Sequence, residues 1–210
     1  MYRPPAFRVD DVPRLHGLMR ERPFATLVSA GGAGLLASHL PTVLRDDGPL
    51  GVIECHCARA NPQWREFVTG ADALMIFHGV EAYVTPRWYP SKAAHGKVVP
   101  TWNYVTVHAY GRAQAVEDGD WLRRQIEALT RQQERGAAEP WAVADAPADF
   151  TAVQIRGIVG IRIEITRLEG KWKLSQNRAH KDRAGVVAGL RARGEGDDHT
   201  LADAVERAIE

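Results

Sequence analysis

The feature that most constrains the fold of this chain is a series of short apolar runs joined by connections of only a few residues. Strands are predicted over Phe24–Ser29, Leu35–Leu44, Leu50–Cys57, Ala73–His78, Glu81–Thr85 and Val105–Val116. Turns are predicted at Gly31-Gly32, Asp46-Asp47-Gly48 and His78-Gly79. Connections this short leave no room for the crossovers that parallel strands need, so the strands are predicted to be antiparallel.

The second half of the chain continues this pattern. Ile161, Ile163 and Ile165 alternate with polar residues, which predicts a half-buried strand. A turn at Glu169-Gly170 is predicted to lead into a further strand over Lys171–Leu174. About seven short strands with few helices indicate a mainly β fold, a small antiparallel barrel decorated by helices.

Helices are predicted at the ends and in one insertion. Asp11 can cap an N-terminal helix that Pro23 ends. Helical spacing of apolar residues also predicts an inserted helix over about 119–135, opened by Asp118 or Asp120. Shorter helices are expected over 149–156, 181–193 and 200–209, and the Ala- and Pro-rich stretch 136–147 is interpreted as a surface linker.

Length, charge and cysteine content limit the classes of function. A chain of 210 residues suits one domain, or one domain with an appendage. The net charge is +1, so no global field favours nucleic acid or acidic membranes. The start of the chain lacks an apolar signal core and no segment is long enough to span a bilayer, which predicts a cytoplasmic protein. Cys55 and Cys57, even with His56, are too few for a zinc site and are interpreted as strand residues in a reducing compartment.

The first candidate for a binding site is the run Val99–Tyr104. It places Trp102, Asn103 and Tyr104 just behind Lys92, His95 and Lys97. Such residues offer stacking faces together with hydrogen-bond donors and acceptors, and the cations could meet a phosphate. A well-packed aromatic start of a strand is the simpler reading of any single residue, whereas the cluster as a whole favours a site.

Two further segments could contact a ligand. Asn61 followed by Pro62 suits a helix start, and free amides there beside Arg59 could cradle a phosphate, although an ordinary capped helix explains the same residues. The segment Lys171–Arg178 is equally consistent with a ligand-binding strand end and with a solvated edge strand protected by lysines.

Taken together, these segments resemble the PaiB-type proteins, the FMN-binding negative transcriptional regulators, whose fold is the flavin-binding split barrel. The resemblance is carried by Ala37–Pro41, Ala60–Trp64, Ile76–Gly79, Ala82–Tyr89, Val99–Tyr104 with His108, and Gly170–Asn177. It implies an antiparallel FMN-binding split β-barrel over residues 1–177, followed by a C-terminal helical extension over 178–210.

The resemblance also implies a cofactor, an assembly and a set of contacts. FMN is expected at the interface of a homodimer, lined by both subunits. Ala58, Arg59 and Asn61 are expected at the flavin phosphate. Residues of the Lys97–Asn103 stretch, namely Lys97, Thr101, Trp102 and Asn103, are expected near the ring or the ribityl chain, with His39, His78 and Gln176 as further candidates. No catalytic residue and no metal ligand is predicted.

The function implied is that of a flavin-responsive negative regulator of transcription. No helix-turn-helix with a basic recognition helix is recognisable, and the acidic residues of 195–198 oppose DNA binding by the basic residues of the tail. Contact with DNA is therefore implied by the resemblance alone. The alternatives are an oxidoreductase that passes electrons between FMN and a nicotinamide or a small substrate, and a haem protein that uses a histidine such as His180 or His199.

Overall fold

A computed structural model describes residues 1–32 and 34–208. The strands are β1 (Arg8–Val9), β2 (Phe24–Gly31), β3 (Gly34–Pro41), β4 (Val43–Arg45), β5 (Val52–Ala58), β6 (Ala71–Val84), β7 (Thr101–Val116) and β8 (Ile158–Lys173). The α-helices are α1 (Val12–Glu21), α2 (Ser91–His95), α3 (Gly119–Gln133), α4 (Ala148–Arg156), α5 (His180–Arg193) and α6 (Asp198–Arg207). Short 3-10 helices cover Pro5–Phe7, Pro62–Phe67, Pro86–Trp88 and Val143–Asp145.

The strands form a sheet in the order β3-β2-β6-β7-β8-β5-β4, and β1 pairs with β8. The pairings of β2 with β3 and β6, and of β8 with β1 and β5, are all antiparallel. The order runs from β3 to β4 without returning to its start, so the sheet is not closed. The prediction of an antiparallel split barrel decorated by helices is confirmed.

Two predicted turns were wrong, because the chain continues through them as strand. His78-Gly79 lies inside β6, where the buried positions change from 73, 75 and 77 to 80, 82 and 84, but the backbone stays in the strand and the φ of Gly79 is not positive. Glu169-Gly170 lies inside β8. There the backbone stays extended because Gly170 pairs with Val9 of β1, a two-residue strand too short to be recognised in the sequence.

Other boundaries differ by smaller amounts. The strand predicted over 35–44 is divided into β3 and β4 at Thr42, whose amide and hydroxyl both donate to the carbonyl oxygen of Pro23. Strand β7 begins at Thr101, so most of the Val99–Tyr104 run belongs to the strand itself. Position 209, at the end of the predicted last helix, lies outside the described residues.

The described residues group into two compact units. Unit 1 contains Met1–Asp11, His78–Val107 and the residues from Glu169 onward, and unit 2 contains Val12–Phe77 and His108–Leu168. Strands β6, β7 and β8 each contribute residues to both units. The division into a domain over 1–177 and an extension over 178–210 stays a prediction.

The core of unit 2 is built on the pairing of β5 with β8. Ile53 lies opposite Ile163, and Cys55 lies opposite Ile161. All four side chains are fully buried. Both cysteines of the chain are free, as expected for strand residues, and burial raises the pKa of the Cys55 thiol far above its ordinary value.

In unit 1, helix α5 packs closely against Trp88. A Cβ atom added at Gly189 would lie 2.2 Å from the Trp88 ring, and one added at Gly185 would lie 2.0 Å from the Trp88 carbonyl oxygen. Only glycine therefore allows this approach. At the end of the same helix, the Arg193 guanidinium lies 5.0 Å from the centre of the Trp88 ring.

Arg193 also forms an ion pair with a buried carboxylate of unit 1. Its Nε and Nη2 donate to the two carboxylate oxygens of Asp198, at 2.6 and 2.5 Å, and Asp198 is 1 % exposed. These hydrogen bonds hold the pKa of Asp198 below its ordinary value, although burial acts in the opposite direction. The pair joins α5 to the first turn of α6.

We expect Asp198→Asn to lower the free energy of unfolding by about 2 kcal/mol at neutral pH, because it leaves Arg193 without its charged partner. Since the folded-state pKa is depressed, the stabilisation is present above the unfolded pKa of about 3.9 and is lost as pH falls through the folded value. Denaturant unfolding at pH 7 and below pH 4 measures both effects.

The control is Asp203→Asn, which removes an exposed partner of Arg191 and should cost well under about 1 kcal/mol. A difference between wild type and Asp198→Asn that stays constant down to the lowest pH would contradict the ion-pair account.

Candidate functional site

The ten predicted site residues fall into two groups, which are described separately. His39, Ala58, Arg59 and Asn61 belong to unit 2. The other six, which are His78, Lys97, Thr101, Trp102, Asn103 and Gln176, belong to unit 1.

In unit 1, Lys173 joins the end of β8 to the start of β7. Its Nζ donates to the Thr101 hydroxyl and, at 2.5 Å, to the carbonyl oxygen of Trp102. Burial lowers the pKa of this amine, and the positive charges of Lys171 and Arg178 lower it further. A negatively charged ligand group beside Lys173 would offset that cost.

Three cations lie at the end of β8 and in the residues just after it, in the segment Lys171–Arg178. Lys171 is buried, and its Nζ lies 5.2 Å from the centre of the Tyr104 ring and 5.4 Å from that of Tyr2. The Arg178 guanidinium lies 4.9 Å from the centre of the Tyr89 ring. Within residues 1–32 and 34–208, no carboxylate forms an ion pair with Lys171, Lys173 or Arg178. The charge of Arg178 nevertheless acts on the buried Asp182 carboxylate and helps to lower its pKa. Cations that form no ion pair suit a phosphate.

Trp102 and Tyr83 form an exposed aromatic face in the same unit. Their ring centres are 6.2 Å apart in an edge-to-face arrangement, and 52 % of Trp102 and 39 % of Tyr83 remain exposed. Large aromatic surfaces are normally buried, so this one is available to a flat apolar ligand or to another protein surface.

Asn103 and Gln176 are used inside the protein. The Asn103 amide, fully buried, donates to the Ser175 hydroxyl at 2.9 Å. Gln176 accepts from the amide of Leu174 and donates to the carbonyl oxygen of Trp172. Both side chains thus fix the turn after β8, where Ser175 has a φ of +63°. In the structure they position the segment Lys171–Arg178.

The remaining two residues of unit 1 are exposed. His78 lies within β6, and Lys97 follows α2. The backbone amide of Lys97 donates to Nδ1 of His95 at 3.0 Å, which leaves the Lys97 ammonium group outside that interaction. The ligand roles of His78 and Lys97 stay predictions.

In unit 2, the Arg59 guanidinium already has several partners. It donates to the carbonyl oxygens of Arg156 and Ile158, at 3.0 and 3.3 Å, and to Glu117 at 2.5 Å. A phosphate at Arg59 would have to compete with the exposed Glu117 carboxylate. Ala58 is the last residue of β5 and is exposed beside this group.

The other unit 2 residues are also hydrogen-bonded. Asn61 caps the 3-10 helix Pro62–Phe67, as predicted, by accepting from the amide of Gln63 at 3.0 Å. Its own amide donates to the Ser38 hydroxyl at 2.8 Å. His39 is exposed on β3, with Nδ1 3.0 Å from the Thr26 hydroxyl. The Asn61 side chain therefore already accepts a hydrogen bond from one of the backbone amides that were expected to bind a phosphate.

Two features of possible functional value were missed by sequence reasoning. Lys173 belongs to the Lys171–Arg178 segment, for which the sequence left two readings open, and its bonds to Thr101 and Trp102 depend on contacts far apart in sequence. His56 was considered only as a metal ligand, whereas its Nδ1 is hydrogen-bonded to Gln125 of α3 at 2.7 Å. In the described part of the chain, no cluster of side chains is suited to hold a metal ion.

Residues 1–167 match the family model described as "Putative FMN-binding domain". The chain belongs to this FMN-binding family. It is 32 % identical over 190 residues to the protease synthase and sporulation protein PAI 2 of Bacillus subtilis, with 90 % of this chain and 89 % of that protein covered. An uncharacterized protein of Emericella nidulans is 36 % identical over 212 residues, with 84 % of each chain covered.

The fold also resembles a solved structure. The FAD and heme binding protein of Mycobacterium smegmatis superposes with a TM-score of 0.61 at 17 % identity, covering 84 % of this chain and 78 % of that chain. The PaiB-type resemblance is confirmed, and FMN is the cofactor of this family. The donor set of unit 1 fits FMN, since it combines an exposed aromatic face with cations that form no ion pair among the residues the structure describes. No helix among the described residues has the length and apolar character needed to cross a membrane.

We expect Trp102→Ala to weaken FMN binding about tenfold, because the variant removes an aromatic surface at a half-exposed position. The free energy of unfolding should change by less than about 1 kcal/mol. Quenching of flavin fluorescence in a titration measures the affinity. Trp141→Ala, at a tryptophan of similar exposure in unit 2, is the matched control. Loss of the fold in Trp102→Ala would instead assign Trp102 to the core.

The assignment of the phosphate to Arg59, which the family resemblance implies, predicts that Arg59→Ala weakens FMN about tenfold and riboflavin much less. Binding of the phosphate by Lys171, Lys173 and Arg178 predicts instead that Arg59→Ala leaves both affinities close to those of the wild type. Glu117→Gln removes the carboxylate that competes for the guanidinium, so FMN affinity should be equal or higher in that variant. Paired titrations with FMN and riboflavin measure both. Equal weakening of the two ligands in Arg59→Ala would exclude the phosphate role.

Proposed function

We propose that this protein is a homodimeric FMN-binding regulator that represses transcription in response to its flavin. The observation that carries the proposal is the arrangement in unit 1, where Lys171, Lys173 and Arg178 form no ion pair with a carboxylate of the described chain, and Trp102 and Tyr83 remain exposed. Membership of the FMN-binding family and the similarity to the Bacillus sporulation protein support it. A cytoplasmic location belongs to the same proposal.

In this proposal the residues of unit 1 bind and orient the cofactor. Lys171, Lys173 and Arg178 supply positive charge to the phosphate, and Trp102 covers an apolar surface of the ring. Asn103 and Gln176 hold the segment Lys171–Arg178 in place through their internal hydrogen bonds. FMN itself supplies reversible one- and two-electron chemistry.

Regulation requires that bound flavin change a surface that another molecule recognises. The exposed aromatic face of Trp102 and Tyr83 is a candidate for such a surface, because an apolar patch of this kind suits a subunit interface. If FMN lies where two subunits meet, its occupancy shifts the equilibrium between forms of the dimer. The cofactor then acts as the signal.

The proposal is tested by comparing transcripts in cells of the source organism that carry the wild type, Trp102→Ala or Trp141→Ala. We expect the same genes to be derepressed in Trp102→Ala and in a deletion strain, and unchanged in Trp141→Ala. Light scattering should give twice the chain mass of 23.2 kDa for FMN-loaded protein. Unchanged transcripts with rapid anaerobic reduction of bound FMN by NADH or NADPH would contradict the proposal and favour an oxidoreductase.

A further inference from the structure

A small basic depression lies in unit 2, away from the residues assigned to FMN. It has a volume of about 230 Å³ and lies between the end of α1, strand β4 and the second half of α3. Four arginines line it: Arg20, Arg45, Arg131 and Arg135. The other lining residues are apolar or neutral, and no carboxylate is among them.

The walls of the depression are fixed by polar contacts. Arg45 Nε donates to Glu54 at 2.9 Å, and Arg20 donates to Asp46. On the opposite side, the Gln132 amide donates to the carbonyl oxygen of Thr42 at 3.0 Å, which ties α3 to the residue just before β4. Two of the four guanidinium groups are therefore held in place before any ligand arrives. Because Glu54 and Asp46 offset the charges of Arg45 and Arg20, the positive charge available to a ligand comes mainly from the other two arginines.

The other two arginines carry charge that is not neutralised locally. Arg131 lies in the last turn of α3 and Arg135 in the turn just after it, both are exposed, and neither forms an ion pair with a carboxylate of residues 1–32 and 34–208. Glu127 and Glu134 line a neighbouring hollow of about 510 Å³ that shares these two arginines. The chain as a whole has a net charge of only +1, so this concentration of positive charge is local.

We propose that the depression binds the phosphate group of a small phosphorylated ligand. Guanidinium groups match phosphate oxygens with paired hydrogen bonds, and a concave surface lined by one sign of charge concentrates its field. Arg20, Arg45 and the two arginines around the end of α3 come from three elements and converge on one small space, whereas a nucleic-acid backbone needs charges spread along a track. A solvated helix face would explain Arg131 and Arg135 alone, but not their convergence with the anchored pair.

The test uses FMN-loaded protein and calorimetric titration with inorganic pyrophosphate and, separately, ATP at low ionic strength. We expect both probes to bind, and Arg131→Gln/Arg135→Gln to weaken them about tenfold or more. Arg123→Gln/Arg124→Gln removes the same charge from α3 outside the depression, so it should retain the wild-type affinity. Glutamine keeps helix propensity close to that of arginine, and the flavin absorbance of both variants should equal that of wild type.

Several outcomes would overturn the proposal. One is that neither probe binds the wild type. Another is that the two double variants lose affinity equally, which would mean that general surface charge explains the binding. Release of FMN by pyrophosphate from the wild type would assign the binding to the flavin site. Binding of duplex DNA that neither probe displaces would identify a nucleic-acid surface. If the protein failed to bind FMN, the flavin absorbance would show it. Failure of the proposed function can therefore be distinguished from failure of the phosphate site.

Discussion

The register of β5 against β8 is the constraint on which unit 2 depends. Side chains alternate between the two faces of a strand, so the pairing of Ile53 with Ile163 and of Cys55 with Ile161 puts all four in the core. If β5 slipped by one residue against β8, Glu54 and its neighbours would face the core in place of these side chains. The same register brings the end of β5 beside the start of β8, where Arg59 reaches the backbone of Ile158.

Unit 1 shows how a fold can prepare positive charge for a ligand. Placing Lys173 under partial burial beside Lys171 and Arg178 disfavours its charged form, and the Thr101 hydroxyl and a backbone oxygen compensate in part. A phosphate would stabilise all three cations together. The family match ends at residue 167, before this segment, whereas the similarity to the Bacillus protein covers 90 % of the chain.

The fold could be predicted largely from local pattern, because turn residues and alternation are visible in sequence. The errors arose where a partner strand decides the conformation: Gly170 reads as a turn residue until its pairing with Val9 is known. Trp102 of the Val99–Tyr104 run is exposed, and its contact with a ligand stays a prediction. Asn103 belongs to the same run but is buried against Ser175, a contact 72 residues away that no local pattern reveals.

The central claim is that this chain binds FMN, and the most direct measurement is the flavin content of the purified protein. The visible absorption spectrum, followed by mass analysis of the compound released on denaturation, identifies and quantifies it. The account predicts a flavin spectrum, with FMN as the released species and a stoichiometry near one per chain after saturation. Protein that carries no flavin and takes up no FMN in titration would contradict it.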